Sequence, residues 1–464
     1  MAKYFAIGIV FSTALRLAAT TWWVGPGRPY AYPSAVSALV ETGDTIYIEA
    51  GVYADDVAVW RADSLYIAGI GGMVELSSGG QAAEGKAIWV IKGDAYRIAY
   101  IAFSQCRVPD HNGAGIRLEG TDLYLQHCRF YDNEMGILVG NNSLSRVVIE
   151  HCVFYDNGFG QGYTHHIYVN HIRRLDVRYS YLYRVRVGHH IKSRAAQTWI
   201  LYNRIADETG NGSRLVDLPN GGLAVLVGNE LIQGPHAENY NLVGFGHEGY
   251  ATGRMHRLYL VHNTLISKRR NALFVDVRPG GEAYIVNNAF GGKGKLWNGH
   301  VVYHAANMHR AVIDSLYFVD YSADDYHLTP ISPLVDAGTR RYVLPDSTRV
   351  DKEYRHPADF VPRPWSEMDS VDIGAHAYRM ATAVKRASSR CDMRVFLSGE
   401  IVRVESPVVL DDLHLYTLIG QKVPIVRIDD RRWKVSAPIC EGTMYLAIGQ
   451  RDKEMVTAKV VRFY

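Results

Sequence analysis

Only five cysteines occur among the 464 residues of this chain. Their spacing builds no zinc framework. Beyond the first nineteen residues no segment offers about 18 uninterrupted apolar residues, which excludes a later transmembrane helix. Amphipathic helical stretches of about 12 residues are also missing from the repeat region, so leucine-rich, ankyrin and helical repeats are excluded. Charge of one sign is not in excess: 50 Lys and Arg face 47 Asp and Glu, a net of +3. The molecule as a whole therefore need not be a polyanion binder, and nucleic acid is not an expected partner.

What the chain has is a repeat. Seven eight-residue phrases share one register: LYLQHCRF from Leu123, VVIEHCVF from Val147, LDVRYSYL from Leu175, TWILYNRI from Thr198, AVLVGNEL from Ala224, LYLVHNTL from Leu258 and AYIVNNAF from Ala283. Their starts are 24, 28, 23, 26, 34 and 25 residues apart. The third position is always Leu, Ile or Val, the eighth always Phe, Leu or Ile, and the sixth runs Cys, Cys, Ser, Asn, Asn, Asn, Asn. Such a period with a fixed apolar register signals a solenoid whose repeats bury their faces against one another. Within each phrase the apolar alternation is that of a strand. The sixth position reads as a bend, where stacked Asn229, Asn263 and Asn288 can form an amide ladder.

These features resemble the right-handed parallel β-helix of the pectate-lyase-like superfamily, over roughly Trp22 to Tyr378, and YRIAYIAF from Tyr96 extends the register backwards. The resemblance implies an all-β fold with strong likeness in architecture and little about the reaction. It also gives meaning to the opening TWWVGPGRPYAYPSAVSALVETGDTIYIEAGVY. There a short helix over Pro33–Val40 is expected to plug the open end of the stack, which otherwise exposes strand edges. The Asp- and Pro-rich stretch Ile313–Tyr378 is expected to cover the other end.

Three regions follow: a secretory signal peptide over 1–19, from the Lys3, apolar-run and small-residue pattern ending near Ala19; the solenoid over 20–380; and a small C-terminal β-sandwich over 388–464. Leu413–Val423 and Met444–Phe463 resemble the C-terminal sorting domain of the type IX secretion system of Bacteroidota. That resemblance implies the secretion machinery as a partner and a secreted or surface-attached protein, with an ordinary carbohydrate-binding or immunoglobulin-like module as the alternative; a monomer is expected. Cys128 and Cys152 share a repeat position and are expected to stack buried, with a disulfide as the alternative. Cys391 and Cys440 form a possible pair in an oxidising compartment, leaving Cys106 over.

Chemistry concentrates on the strands that follow the phrases. GILVGNN (136–142) is plain, whereas HHIYVNH (165–171), HHIKSRA (189–195), SRLVDLPNGG (213–222), YNLVGFGHEG (240–249) and LFVDVRPG (273–280) are rich in ionisable groups. Stacking is expected to place His165, His166, Tyr168 and Asn170 beside His189, His190, Lys192 and Arg194, then Arg214 and Asp217, then Tyr240, His247 and Glu248. Segment 171–278 holds fifteen Lys or Arg against eight Asp or Glu, so a basic groove for an acidic polysaccharide is expected. One such histidine or lysine is ordinarily surface decoration; seven His, Lys or Arg in two adjacent strands argue for a site.

The reaction that suits this set is β-elimination on a uronate polymer. It needs a base for the C5 proton, neutralisation of the carboxylate and a proton for the leaving oxygen. Lys192, crowded by His190, Arg194 and Arg214, is the candidate base. IKSRAAQTWILYNR resembles the Lys-Ser segment of chondroitinase-B and alginate-lyase-like β-helix enzymes, which implies Lys192 as base and Arg214 as acid. Arg214 lies outside that family's Arg-His-Gly context, and RVRVGHH replaces the acidic metal ligands, so calcium is not clearly implied. The alternatives are a glycoside hydrolase or epimerase using Asp217 and Glu248, with Asp207 and Asp276 farther off, or a non-catalytic glycan binder. The paired-Asp motif of polygalacturonase-like enzymes is absent.

Overall fold

The computed structural model describes residues 19–160, 162–364 and 371–379, together with strand segments between 394 and 462. The chain forms two compact units, Met1–Arg379 and Met380–Tyr464. The first is a right-handed parallel β-helix whose coils contribute strands to a 21-stranded and a 10-stranded sheet. One coil illustrates the rest: Leu123–Gln126 and Arg129–Tyr131 enter the large sheet, and Met135–Val139 enters the small one. Each repeat phrase thus contains two strands, and the ionisable strand that follows is the third of its coil.

Observed pairing follows the phrase register. Leu123, Val147, Leu175, Thr198, Ala224, Leu258 and Ala283 are successive parallel partners. Third-position Leu125, Ile149, Val177, Ile200, Leu226, Leu260 and Ile285 are all fully buried, as are eighth-position Phe130, Phe154, Leu182, Ile205, Leu231, Leu265 and Phe290. Each such side chain contributes about 1.5–3 kcal/mol of burial, and the fixed register lets every coil bury its set on the next.

The left-handed residue of the bend is the fifth of each phrase, with φ from 52° to 65° at His127, His151, Tyr179, Tyr202, Gly228, His262 and Asn287. The sixth position supplies the ladder. Asn203 Nδ2 donates to Asn229 Oδ1 (3.1 Å), Asn229 to Asn263 (2.9 Å), Asn263 to Asn288 (3.0 Å) and Asn288 to Asn307 (3.0 Å). These bonds help offset the cost of about 1 kcal/mol carried by each left-handed non-glycine residue. Cys128 and Cys152 are buried free thiols at the same level, and Cys106 is also free.

The helix near the start is shorter than expected, Ser34–Ser37, and Val36 and Val40 join the core. The segment after Ile313 does not simply close the far end. It packs back along the outer flank of the large sheet, and Asn287 Nδ2 donates to Thr339 O, Trp199 Nε1 to Thr348 Oγ1 and Tyr202 Oη to Arg349 O, while His151 Nδ1 meets Ala358 O. The reason lies in the outward positions: Trp199, Val225, Val227, Val261 and Val286 are apolar and are covered by Leu344, Val350 and Phe360.

The ten strands of the small sheet are β1 (Ala58–Trp60), β2 (Ala87–Ile91), β3 (Ala114–Leu118), β4 (Met135–Val139), β5 (Ile167–Val169), β6 (Ile191–Ser193), β7 (Val216–Leu218), β8 (Asn241–Phe245), β9 (Ala272–Val277) and β10 (Gly294–Asn298). In the second unit, Tyr445–Arg451 and Glu454–Arg462 form an antiparallel hairpin, and Asp412–Thr417 pairs with Tyr445–Arg451. The signal peptide expected over 1–19 falls, but for Ala19, outside the described residues, and so does the Cys391 and Cys440 pairing.

Candidate functional site

Strand pairing lines up two rows of side chains on the outer face of the small sheet. Tyr168, Lys192, Asp217, Gly244 and Asp276 are partners across β5 to β9. Beside them His165, His189, Arg214 and Asn241 follow one another just ahead of the strand centres. Inward neighbours such as Ile167, Ile191, Val216 and Val243 fill the core and fix the strands.

The histidines divide into two kinds. The rings of His165 and His189 stack with centroids 5.0 Å apart. His165 Nδ1 accepts the His189 backbone N–H (3.0 Å) and His189 Nδ1 accepts that of Arg214 (3.1 Å). Burial first, then Lys192 and Arg194 beside His165 and the His165 ring and Arg214 beside His189, hold both well below the ordinary histidine range, so both are neutral. A neutral ring that accepts at Nδ1 carries its proton on Nε2. His189 Nε2 faces Asp217 Oδ2 at 3.5 Å, so it is a donor rather than a base.

His166 and His190 are corrected by the structure. They do not share the outer face. His166 is fully buried between Asn157 and Tyr183 O, and His190 pairs with Asp207 Oδ1 at 3.0 Å, both carrying no solvent exposure. Asp207 also accepts the Gly234 N–H, which removes it from the candidate carboxylates of the groove.

Lys192 meets two carboxylates, which it shares with the expected neighbours Arg194 and Arg214. Its Nζ donates to Glu248 Oε1 (2.7 Å) and lies 3.9 Å from Asp217 Oδ2. Arg194 Nη2 takes the other oxygen of Glu248 (2.5 Å), while Nη1 donates to Asn220 Oδ1 and Nε to the Tyr168 hydroxyl. That hydroxyl donates in turn to Asn170 Oδ1. Arg214 binds Asp217 Oδ1 (3.2 Å) and Asn241 Oδ1 (2.9 Å). His247 Nε2 meets Asp276 Oδ2 at 3.1 Å, and Asn298 Nδ2 donates to Asp276 Oδ1. Tyr240 is exposed, and its expected place in the row is taken by Asn241.

Two carboxylates are pushed in opposite directions. Burial raises Asp217 above the usual carboxylate range, although Arg214, Lys192 and His247 oppose it. Burial would also raise Glu248, but its hydrogen bonds from Lys192 and Arg194 prevail and hold it low. His247 is lowered by burial and by Arg214, against the pull of Asp276.

The expected +7 surplus of segment 171–278 is not focused here. Arg174, Arg178, Arg184, Arg204, Arg257 and Lys268 are paired with acids elsewhere on the solenoid. Among the described residues no group of three or more His, Cys, Asp or Glu is arranged to hold a metal ion. A calcium ion does not fit this donor set, because Asp217, Glu248 and Asp276 are each already engaged by Arg, Lys or His.

Asn241 and Gly244 are residues that sequence reasoning missed. Their signal was the stacking register with Arg214 and Asp217. A Cβ at Gly244 would lie 2.9 Å from Arg214 Cδ and 3.1 Å from Asp217 Oδ1, so glycine makes the room in which that pair sits.

A family model described as right handed beta helix region matches residues 95–174. No curated protein matches the chain. Among solved structures it is similar to pectate lyase Pel9A, at 13% identity and a TM-score of 0.53, covering 78% of this chain and 98% of that one. It is also matched to the pectin methylesterase from Aspergillus niger, at 13% identity, a TM-score of 0.27, and coverage of 69% and 93%. The likeness to Pel9A is one of fold.

Proposed function

We propose that the outer face of β5–β9 binds an acidic polysaccharide and cleaves it by β-elimination, with Lys192 as the base. The observation that carries this reading is the convergence of Lys192, Arg194 and Arg214 on one strip, their side chains 14%, 15% and 15% exposed. Three nearly buried cations opening on one solvent-facing strip suit an anionic sugar far better than a neutral one. The name of the structural neighbour, a pectate lyase, agrees in substrate class.

In the proposed step Lys192, entering as the free amine, takes the C5 proton at Nζ to become the ammonium, the C5 electron pair forms a C4–C5 double bond, and the C4–O bond breaks. The leaving oxygen takes a proton from Arg214, whose guanidinium Asp217 holds in place. Arg194 neutralises the uronate carboxylate, and the Nε2–H of His165 together with Tyr168 and Asn170 lines the approach.

A second reading has its own observation: Asp217 and Glu248, shifted in opposite directions, both reach Lys192, as an acid and base pair of a glycoside hydrolase would. Incubation with a panel of acidic polysaccharides separates the two. A lyase yields an unsaturated product absorbing in the ultraviolet in step with new reducing ends; a hydrolase yields reducing ends alone, and a binder yields neither. We further propose the C-terminal unit as a sorting domain and the protein as secreted or surface-attached, supported by the sequence likeness of Leu413–Val423 and Met444–Phe463.

A further inference from the structure

We infer that Glu248 is a built-in stand-in for the substrate's carboxylate, occupying a Lys192–Arg194 subsite from which a uronate displaces it. This rests on the reading of the face as an acidic-polysaccharide site. The two oxygens of Glu248 are divided between Lys192 Nζ at 2.7 Å and Arg194 Nη2 at 2.5 Å, the arrangement a sugar carboxylate would adopt between two cations. The cations are recessed and the carboxylate is not: Glu248 is 44% exposed against 14% and 15% for its partners. The occupant therefore sits on the solvent side of its own receptor.

Displacement needs only the side chain to turn. The backbone around Glu248 is pinned, with its N–H bound to Pro219 O and Gly249 O accepting from Asn220 Nδ2. Positive φ values of 86° at Gly246 and Gly249 set the turn that aims Glu248 back over β6. Every other carboxylate of the face is held from below: Asp217 and Asp276 are buried and bound by Arg214 and by His247 and Asn298.

The exchange also bears on the reaction. While Glu248 is in place, Lys192 spends its donor on a carboxylate. When a uronate carboxylate takes over Arg194, Lys192 stands next to the carboxylate carbon and hence to the neighbouring C5–H. The internal carboxylate thus sets a threshold that neutral or esterified sugars do not overcome, since they bring no charge to replace it.

The test is calorimetric binding of tri-galacturonate and of its fully methyl-esterified form to the full chain and to Glu248→Gln and Arg194→Ala. The expected result is about tenfold tighter binding of the acid by Glu248→Gln, no gain for the ester, and loss of acid binding by Arg194→Ala. Equal affinity of the full chain and Glu248→Gln for the acid, with binding still lost in Arg194→Ala, overturns the inference and leaves the site standing. No binding of the acid to any of the three proteins overturns both. Where turnover is seen, Glu248→Gln is expected to lower KM; a collapse of kcat makes Glu248 a reacting carboxylate and contradicts the stand-in role.

Discussion

Lys192 and Glu248 lie 56 residues apart in the chain, yet their side chains meet at 2.7 Å on the outer face of the β-helix. Two coils of stacking bring them together, one strand supplying the lysine and the turn after β8 supplying the carboxylate. The pair shows how a solenoid builds a site: the core repeat is indifferent to what the outward positions carry, so chemistry is assembled one coil at a time.

Gly244→Ala tests the room beneath Arg214. The new methyl would press on Arg214 Cδ and Asp217 Oδ1 and push the guanidinium off its partner. We expect kcat/KM on an acidic polymer to fall about tenfold, equivalent to about 1.4 kcal/mol of lost positioning, with the melting temperature little changed. Steady-state kinetics and a thermal melt check it.

The amide ladder is a stability device. Asn229→Ala removes the acceptor of both the Asn203 side chain and the Asn203 backbone N–H, and leaves Ile200 O without its donor. A loss of about 2–4 kcal/mol is expected, read as a lower denaturant midpoint. An unchanged midpoint would mean that the ladder is incidental to the stack.

Two histidines that are neighbours in sequence are expected to behave differently. His189→Ala removes a donor aimed at Asp217 on the outer face and should lower turnover with a modest change in melting temperature. His190→Ala strips Asp207 of its buried partner and should lower the melting temperature first. Parallel activity and melting measurements on the two variants separate the roles.

Stability should also depend on pH through His376, which lies between Glu230 and Glu353 in the flanking segment. Burial opposes its charge, but the hydrogen bond it donates to Glu230 and the nearby negative charge of Glu353 win and raise it to about 9. A raised folded value means that the stabilisation is complete below the unfolded histidine range near 6.5 and is lost as pH rises through about 9. Glu353 is lowered to about 2, against burial, chiefly by His376, so its share is lost only in acid. Unfolding midpoints should fall between pH 7 and pH 9.5, values set about the two ends of the His376 window, and His376→Gln should flatten that slope.

The core was legible because it repeats. Phrase positions three and eight are apolar without exception, and they are the residues that fill the interior. The site was legible only in outline, because alternation fails at a bend. His165 and His189 sit just before β5 and β6, where the chain is still turning, so the residue two before each inward Ile reaches the outer face while His166 and His190 turn inside. A slip of one residue likewise exchanged Tyr240 for Asn241. Glu248 was visible as a residue, but its partners were set by the turn between Gly246 and Gly249, which no periodicity describes. The local surplus of basic residues misled for a related reason: sequence neighbours 171–278 are spread around three faces of each coil, and many of their charges are matched there.

The most direct measurement is the ultraviolet absorbance of products released from a uronate polymer by the full chain and by Lys192→Ala. The full chain should generate an unsaturated chromophore in proportion to new reducing ends. Lys192→Ala should generate none while melting within a few degrees of the parent. Persistent chromophore formation by Lys192→Ala, or reducing ends without chromophore from the full chain, would contradict Lys192-driven β-elimination.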